Sequence, residues 1–373
     1  MMEYLFWIRN RINRLLYKAI FRRIFFLVDP ETIHDRMIGS GKFLGSNLLT
    51  KKIVAFLYSY SHKSLEQKIM GIKFSNPIGL AAGFDKDAVL PDMLSYLGFG
   101  FAEVGSITGE PCVGNPKPRL WRLEKSKGLV VYYGLKNEGC EKISRRLKSR
   151  TFQIPIGTNI AKTNSKKTVG LEEGIADYLK AYKKFTNIGN YFAINISCPN
   201  SFGGQDFENG KRLDKLLVKI DEIPTRKPVF LKISPDLGKN EIDEIIEASR
   251  KHNVAGFICA NATKKRIDRK IIDTVVPRKG GITGKPIEGL ANDLISYVYR
   301  KTKGKFVIIG CGGVFSAEDA YKKIKLGASL VQIFTGMIFE GPQVISEINQ
   351  GLVNLLKKDG FANISQAVGI ENR

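Results

Sequence analysis

Where the apolar runs of this 373-residue chain break off, they leave thiol, carboxamide and ammonium groups behind. The segment "AINISCPNSFGG" (193–204) sets Cys198 between Asn195 and Asn200. It ends in Gly203 and Gly204, which would let the turn move as a lid. A thiol serves as nucleophile or general base once its surroundings favour the thiolate. None of the three histidines lies in that loop, since His34 and His62 come far earlier and His252 ends a helical pattern. A Cys–His nucleophilic pair is therefore not indicated, and packing is the plainer use of one such thiol. Asn159, Asn195, Asn200 and Asn261 each end or follow a different apolar run. An amide both donates and accepts, so four of them converging would read the edge of a planar heterocycle. Lys86 stands just past one run and Lys232 inside another, "FLKIS". A lysine in an apolar strand is costly unless it meets a buried anion.

These groups need a frame that brings strand ends together. Eight short β-prone runs follow residue 70, at 78–82, 101–104, 154–160, 191–197, 228–234, 254–260, 306–310 and 330–334. Amphipathic segments alternate with them, among them 171–185, 239–252 and 317–327. Eight β–α units in succession predict an α/β fold, a closed (β/α)8 TIM barrel, over a doubly wound sheet. Such barrels carry their reactive groups at the C-terminal ends of the strands and in the loops beyond. "GCGG" (310–313) and "FTG" (334–336) follow the last two strands and offer the glycines and free N–H groups that receive a phosphate. "GGITG" (280–284) could close over the same group. With a phosphate there, Lys232 would suit a reduced flavin, which is negative near N1.

Lys and Arg outnumber Asp and Glu by 59 to 36, a formal net charge of +23. Such a field favours anionic partners, yet no basic stretch interleaved with aromatic residues marks a nucleic-acid site. Five scattered cysteines without a CxxC pair fit a reducing compartment and give no metal pattern. Near the N-terminus, Leu5, Ile8, Ile12, Leu15 or Leu16 and Ala19 recur at helical spacing with basic residues between. The longest uncharged apolar stretch there, "IFFLV", is far too short to span a bilayer. The pattern predicts a helix in a membrane interface, with Trp7 and the Phe residues dipping in. Arg9, Arg11, Arg14, Lys18, Arg22 and Arg23 would meet anionic headgroups. The alternative is a helix docked on the protein's own body.

Six blocks, "NPIGLAAGFDKDA", "GNPKPRLWRL", "INISCPN", "LKISPDL", "IIGCGGVFSAEDA" and "GASLVQIFTGMIFEGP", keep the order and spacing of the dihydroorotate dehydrogenases. The chain resembles that family from about residue 66 to 355. Residues 1–65, through "LVDPETIHDRMIG", look like the N-terminal region of its membrane-associated, quinone-reducing class. The resemblance implies two regions: an amphipathic helical extension, 1–65, for membrane and quinone, and an FMN-binding barrel, 66–373. It implies oxidation of (S)-dihydroorotate to orotate in pyrimidine biosynthesis, with a quinone as acceptor. The implied location is peripheral, on the cytoplasmic face of a bacterial-type membrane. By likeness FMN would touch Ala82, Gly83, Lys86, Ser106, Asn159, Asn195, Lys232, Gly284, Gly313, Phe334 and Thr335. Lys86, Asn195, Asn200 and Asn261 would hold orotate. Cys198 falls at the general-base position, which takes the C5 proton while a hydride passes from C6 to flavin N5.

The departures from the family pattern also carry information. Its quinone class has serine at the base position and its soluble class cysteine, so Cys198 and the extension point to different acceptors. The extension carries more weight, being long and chemically suited to a membrane. "GLVVYYGLKNEG" puts Val131 and Leu135 where the family has Asn and Phe. The Asn-Thr pair after strand six reads Asn261-Ala262, preceded by Ala260 in place of a Thr. Two lost hydrogen-bonding side chains cost a buried ligand about 1–3 kcal/mol each. Either Asn137 substitutes for the missing amide or the substrate differs from dihydroorotate. Three functions follow: a dihydroorotate:quinone oxidoreductase; a related FMN enzyme with another reduced heterocycle or a soluble acceptor; or a basic RNA- or membrane-binding barrel that would purify colourless.

Overall fold

Residues 2–200, 202, 206–266 and 270–372 are described by the structure, a computed structural model. In chain order the strands are β1 (Gln67–Ile69), β2 (Ile72–Phe74), β3 (Ile78–Leu80), β4 (Phe101–Ile107), β5 (Leu120–Leu123), β6 (Gly128–Val131), β7 (Ile156–Ile160), β8 (Tyr191–Asn195), β9 (Val229–Ile233), β10 (Val254–Cys259), β11 (Gly281–Gly284), β12 (Val307–Cys311) and β13 (Leu330–Ile333). Eight of them, β3, β4, β7, β8, β9, β10, β12 and β13, pair in parallel in that order, and β13 returns to β3 to close a barrel. These match the eight runs expected from the sequence to within a few residues. The helices Leu171–Lys184, Lys239–Lys251 and Ala317–Lys325 likewise fall where amphipathic spacing places them.

β8 and β9 are buried along their whole length, because a parallel barrel strand has core on both faces. Alternation then decides what faces inward. Phe101, Tyr191, Phe230 and Leu330 fill the foot of the barrel together with Phe74 of the β1–β2 hairpin. Ala193, Ile258 and Ile309 join the same inner cluster. One step on, the same faces carry Glu103, Gln332, Asn195 and Lys232. Asn195 and Ile258 both stand beside Lys232 in register. The polar groups thus gather at the C-terminal mouth through strand periodicity alone.

β5, β6 and β11 form a small antiparallel sheet, with Gly281 opposite Val131. The sequence presents these segments as loops. Gly281–Gly284 is a strand paired with β6. A side chain at Gly284 would press on Gly128 and Thr335, each 2.9 Å from its Cβ position, so this glycine serves close packing.

The N-terminal region is helical: α1 (Met2–Leu16), a π-helical stretch Tyr17–Phe21, α2 (Arg22–Phe26), α3 (Pro30–Leu44) and α4 (Leu48–Tyr58). Asp29 caps α3 by accepting from the Thr32 N–H at 2.9 Å, and Asn47 caps α4 through the Leu49 N–H at 2.7 Å. α1 lies against α4 and the helix Val344–Lys358, and it docks through its polar face. Arg9 donates to the Phe56 and Ser59 carbonyls at 2.8 and 2.9 Å and to Ser346 at 2.6 Å. Arg14 pairs with Glu347 at 2.6 Å, Lys18 pairs with Glu340, and Arg22 donates to the Phe339 carbonyl at 3.5 Å. These four cations, expected at headgroups, are instead drawn inward by helix-end carbonyls and acids. Tyr4, Leu5, Trp7, Ile12, Leu15 and Leu16 are left facing out. Glu31 of α3 is buried and accepts from Arg119 at 2.8 and 3.0 Å, which fastens the extension to the small sheet. No helix among the described residues is long and apolar enough to cross a membrane.

Candidate active site

Two cavities share a wall at the mouth of the barrel. The inner one, about 160 Å³, is lined by the exits of β3, β4, β8, β9, β10 and β12. The outer one, about 340 Å³, lies beneath α2, α3 and α4. Lys86, Leu120, Tyr133 and Phe334 border both.

Ala82, Gly83, Lys86, Ser106, Asn195, Cys198, Asn200, Lys232, Asn261 and Phe334 all line the inner cavity, so most of the residues picked from the sequence converge there. Gly83 has φ +96°, and its missing Cβ would meet nothing within 4 Å, so the backbone itself forms that wall. Four picked residues do not line it. Asn159 is fully buried behind it, donating to Glu103 at 2.9 Å and accepting from the Ser106 hydroxyl. Gly284, Gly313 and Thr335 sit one residue away from the lining residues Thr283, Gly312 and Phe334. Gly313 packs against Glu288, whose Cα lies 2.6 Å from its Cβ position.

Val131, Leu135 and Ala262 also face the cavity and make one edge apolar. Asn137 does not replace the missing amide. Its Nδ2 donates to Thr108 Oγ1 and the Leu135 carbonyl, both at 2.8 Å, and its Oδ1 accepts from the Gly139 N–H at 2.8 Å. Those bonds hold it inside its own turn. Asn200 donates to the Val131 carbonyl at 2.9 Å, which ties the Cys198 loop to β6. The glycine lid at Gly203 and Gly204 lies outside the described residues.

Lys232 is 4 % exposed, and its ammonium forms no hydrogen bond or ion pair among the described residues. An unpaired buried cation costs several kcal/mol, so this position fits an electron-rich ring laid over it. Ser106 and Asn195 beside it present donors and acceptors, and Phe334 an aromatic face. These groups suit the isoalloxazine of FMN, and the Gly312 turn suits its phosphate.

Lys86 leads out of this cavity into the other. Its Nζ donates to His34 Nε2 at 2.9 Å and lies 4.0 Å from the centre of the Tyr133 ring. Burial pushes the Lys86 ammonium down to about 8. Burial, and then the charge of Lys86, hold the His34 imidazole well below its usual range, so it is neutral. The outer cavity is otherwise apolar, with Phe25, Ile33, Met37, Leu44 and Met337 among its walls. Arg122 stands at its side, donating to the Val28 and Phe25 carbonyls at 2.9 and 3.1 Å.

Sequence reasoning missed Tyr133, Lys136 and Cys311, all of which line the inner cavity. It also missed Glu103 and Gln332 beneath it. The rule that singled out Lys232, a polar group in an apolar strand, applies equally to Glu103 in "FAEVGSI" and Gln332 in "LVQI".

A family model described as dihydroorotate dehydrogenase matches residues 64–356. The chain belongs to the dihydroorotate dehydrogenase family. Among its relatives is the dihydroorotate dehydrogenase (quinone) of Nostoc punctiforme, 39% identical, the match covering 95% of this chain and 98% of that protein. The enzyme of the same description from Rippkaea orientalis is 40% identical over 92% of this chain and 95% of its own length. Among solved structures, the Eimeria tenella dihydroorotate dehydrogenase in complex with ferulenol superposes with a TM-score of 0.82 at 30% identity, covering 92% of this chain and 96% of that one. Members of this family generally depend on FMN.

Proposed function

We propose that this chain oxidises (S)-dihydroorotate to orotate, with FMN as cofactor and a quinone as electron acceptor. The carrying observation is the pair of cavities on one wall: a polar one with a thiol and three amides, and an apolar one under the N-terminal helices. Bound FMN would supply the two-electron oxidant that links them. Lys232, Ser106 and Asn195 would hold its ring and Gly83 and Gly312 its edges. Asn195, Asn200 and Asn261 would bind the heterocycle edge, and the Lys86 ammonium would face the substrate carboxylate. The Cys198 sulfur would accept the proton that leaves C5. Leu120, Val131 and Phe334 would keep water from the reacting face. An anaerobic titration with dihydroorotate tests this: the visible flavin absorbance falls and a soluble quinone analogue restores it. Absorbance that does not change sinks the proposal. The apolar edge at Val131 and Ala262 favours one revision, a less polar dihydropyrimidine, which the same titration would reveal when run with that reductant in place of dihydroorotate.

Orotate is an anion, so its affinity tracks the charge on Lys86. A group titrating near 8 is mostly charged at pH 7 and mostly neutral at pH 9. Orotate should therefore bind up to about tenfold more weakly at pH 9, the ratio of charged fractions. A Lys86→Met variant should bind weakly with a flat profile. A steep profile in that variant would assign the effect elsewhere.

Residues 1–65 act in this proposal as the quinone-collecting unit, seated peripherally on a membrane, and 66–373 as the catalytic barrel. The exposed Leu5, Trp7, Ile12, Phe43, Leu49 and Phe56 supply the apolar contact. The double substitution Leu5→Glu/Ile12→Glu, made on exposed positions, should lower co-sedimentation with anionic liposomes severalfold. Undiminished co-sedimentation would remove the membrane contact from α1.

A further inference from the structure

We propose that Glu103, at the centre of the barrel, is a positioning residue that fixes the hydrogen-bond polarity of the flavin-facing side chains. This rests on the flavin reading above. Glu103 is fully buried on β4, and no basic nitrogen lies within ion-pairing distance of it among the described residues. Instead one carboxylate oxygen accepts from Asn159 Nδ2 at 2.9 Å, and the other accepts from Gln332 Nε2 at 2.5 Å and the Tyr191 hydroxyl at 3.5 Å.

A carboxylate accepts only. The Asn159 amide must therefore turn its NH2 toward Glu103 and its oxygen toward Ser106. The Ser106 hydroxyl proton is then committed to Asn159, which leaves the Ser106 oxygen to accept from Asn195 Nδ2 at 2.9 Å. With its NH2 so directed, Asn195 Oδ1 accepts from the Ser197 hydroxyl and from Asn261 Nδ2, both at 3.2 Å. One buried acceptor thus orients four side chains in series, and three of them, Ser106, Asn195 and Asn261, line the cavity. Reversing any amide would set two donors or two acceptors face to face.

An exchange of polarity tests this while nearly preserving shape. In full-chain protein, Glu103→Gln lets the side chain offer NH2 to Asn159. It should raise the FMN dissociation constant at least about tenfold, followed by the return of free-flavin fluorescence; tenfold corresponds to about 1.4 kcal/mol. Adding Asn159→Asp restores the order, because the new amide donates to the new carboxylate, which still accepts from Ser106. Glu103→Gln/Asn159→Asp should recover FMN binding to within about threefold of wild type. A purely space-filling Glu103 makes the opposite prediction, with the single variant tolerated and the double no better. The proposal is overturned if Glu103→Gln holds FMN as wild type does, or if the double variant, folded or not, is as poor as the single. A wild-type chain that holds no FMN fails the flavin reading itself, a result distinct from either.

Discussion

Replacing Cys198 by alanine is expected to leave FMN bound and to slow flavin reduction by dihydroorotate at least about 100-fold, the lower range for losing a general base. The thiol lines the inner cavity on the loop that leaves β8, between Asn195 in the strand and Asn200 beyond it. Among the described residues no histidine lines that cavity, and His34 stands on the far side of Lys86. The sulfur is the group on this loop suited to take a proton. The loop is fastened by the Asn200 bond to the Val131 carbonyl and by the Asn115 bond to the Asn200 carbonyl at 3.2 Å. Both bonds are made by other residues and are kept when Cys198 becomes alanine. Stopped-flow reduction under anaerobic conditions gives the rate, and the bound-flavin spectrum shows that the site persists. A rate within threefold of wild type would reduce Cys198 to packing. Cys198→Ser should keep part of the rate, since a hydroxyl oxygen can still accept the proton with help from solvent.

The barrel was legible because its signal is redundant. Eight apolar runs alternating with amphipathic segments leave little room for another topology, and several of the strands end in a polar group. For that reason Asn195 and Lys232 are placed in the site by sequence alone. Glu103 and Gln332 were equally visible but were passed over, because neither stands at a strand exit where ligands are expected. Asn137 and Asn159 show the opposite limit. An asparagine beside a site looks the same in sequence whether it faces the cavity or is spent on its own turn. The N-terminal helix misled for a different reason. Basic residues on an amphipathic helix normally face water or headgroups, and nothing local says that Phe56, Ser59, Ser346 and Glu347 will supply partners for Arg9 and Arg14. The small sheet was missed because strands of four residues, two of them beginning at a glycine, look like turns.

Filling the apolar cavity should separate the two halves of turnover. Ile33, Met37, Gly41 and Leu44 follow one face of α3 into that cavity, and Ile33 sits next to His34, the partner of Lys86. Ile33→Trp puts an indole into a space of about 340 Å³. Overpacking of this kind costs an occupant roughly 1–3 kcal/mol, so reoxidation of the reduced protein by a long-chain quinone should slow at least about fivefold. Reduction by dihydroorotate should stay within twofold, because Ile33 does not line the inner cavity. A small hydrophilic oxidant should still accept electrons at the wild-type rate, which would show that the flavin itself is intact. The comparison decides what Cys198 leaves open. A cysteine base resembles the soluble class, whereas the helical extension and the relatives named for quinone resemble the other. If Ile33→Trp blocks the quinone and spares the small oxidant, the acceptor is set by the cavity and the base residue does not report on it. If quinone reoxidation is untouched, the cavity is not the quinone's route.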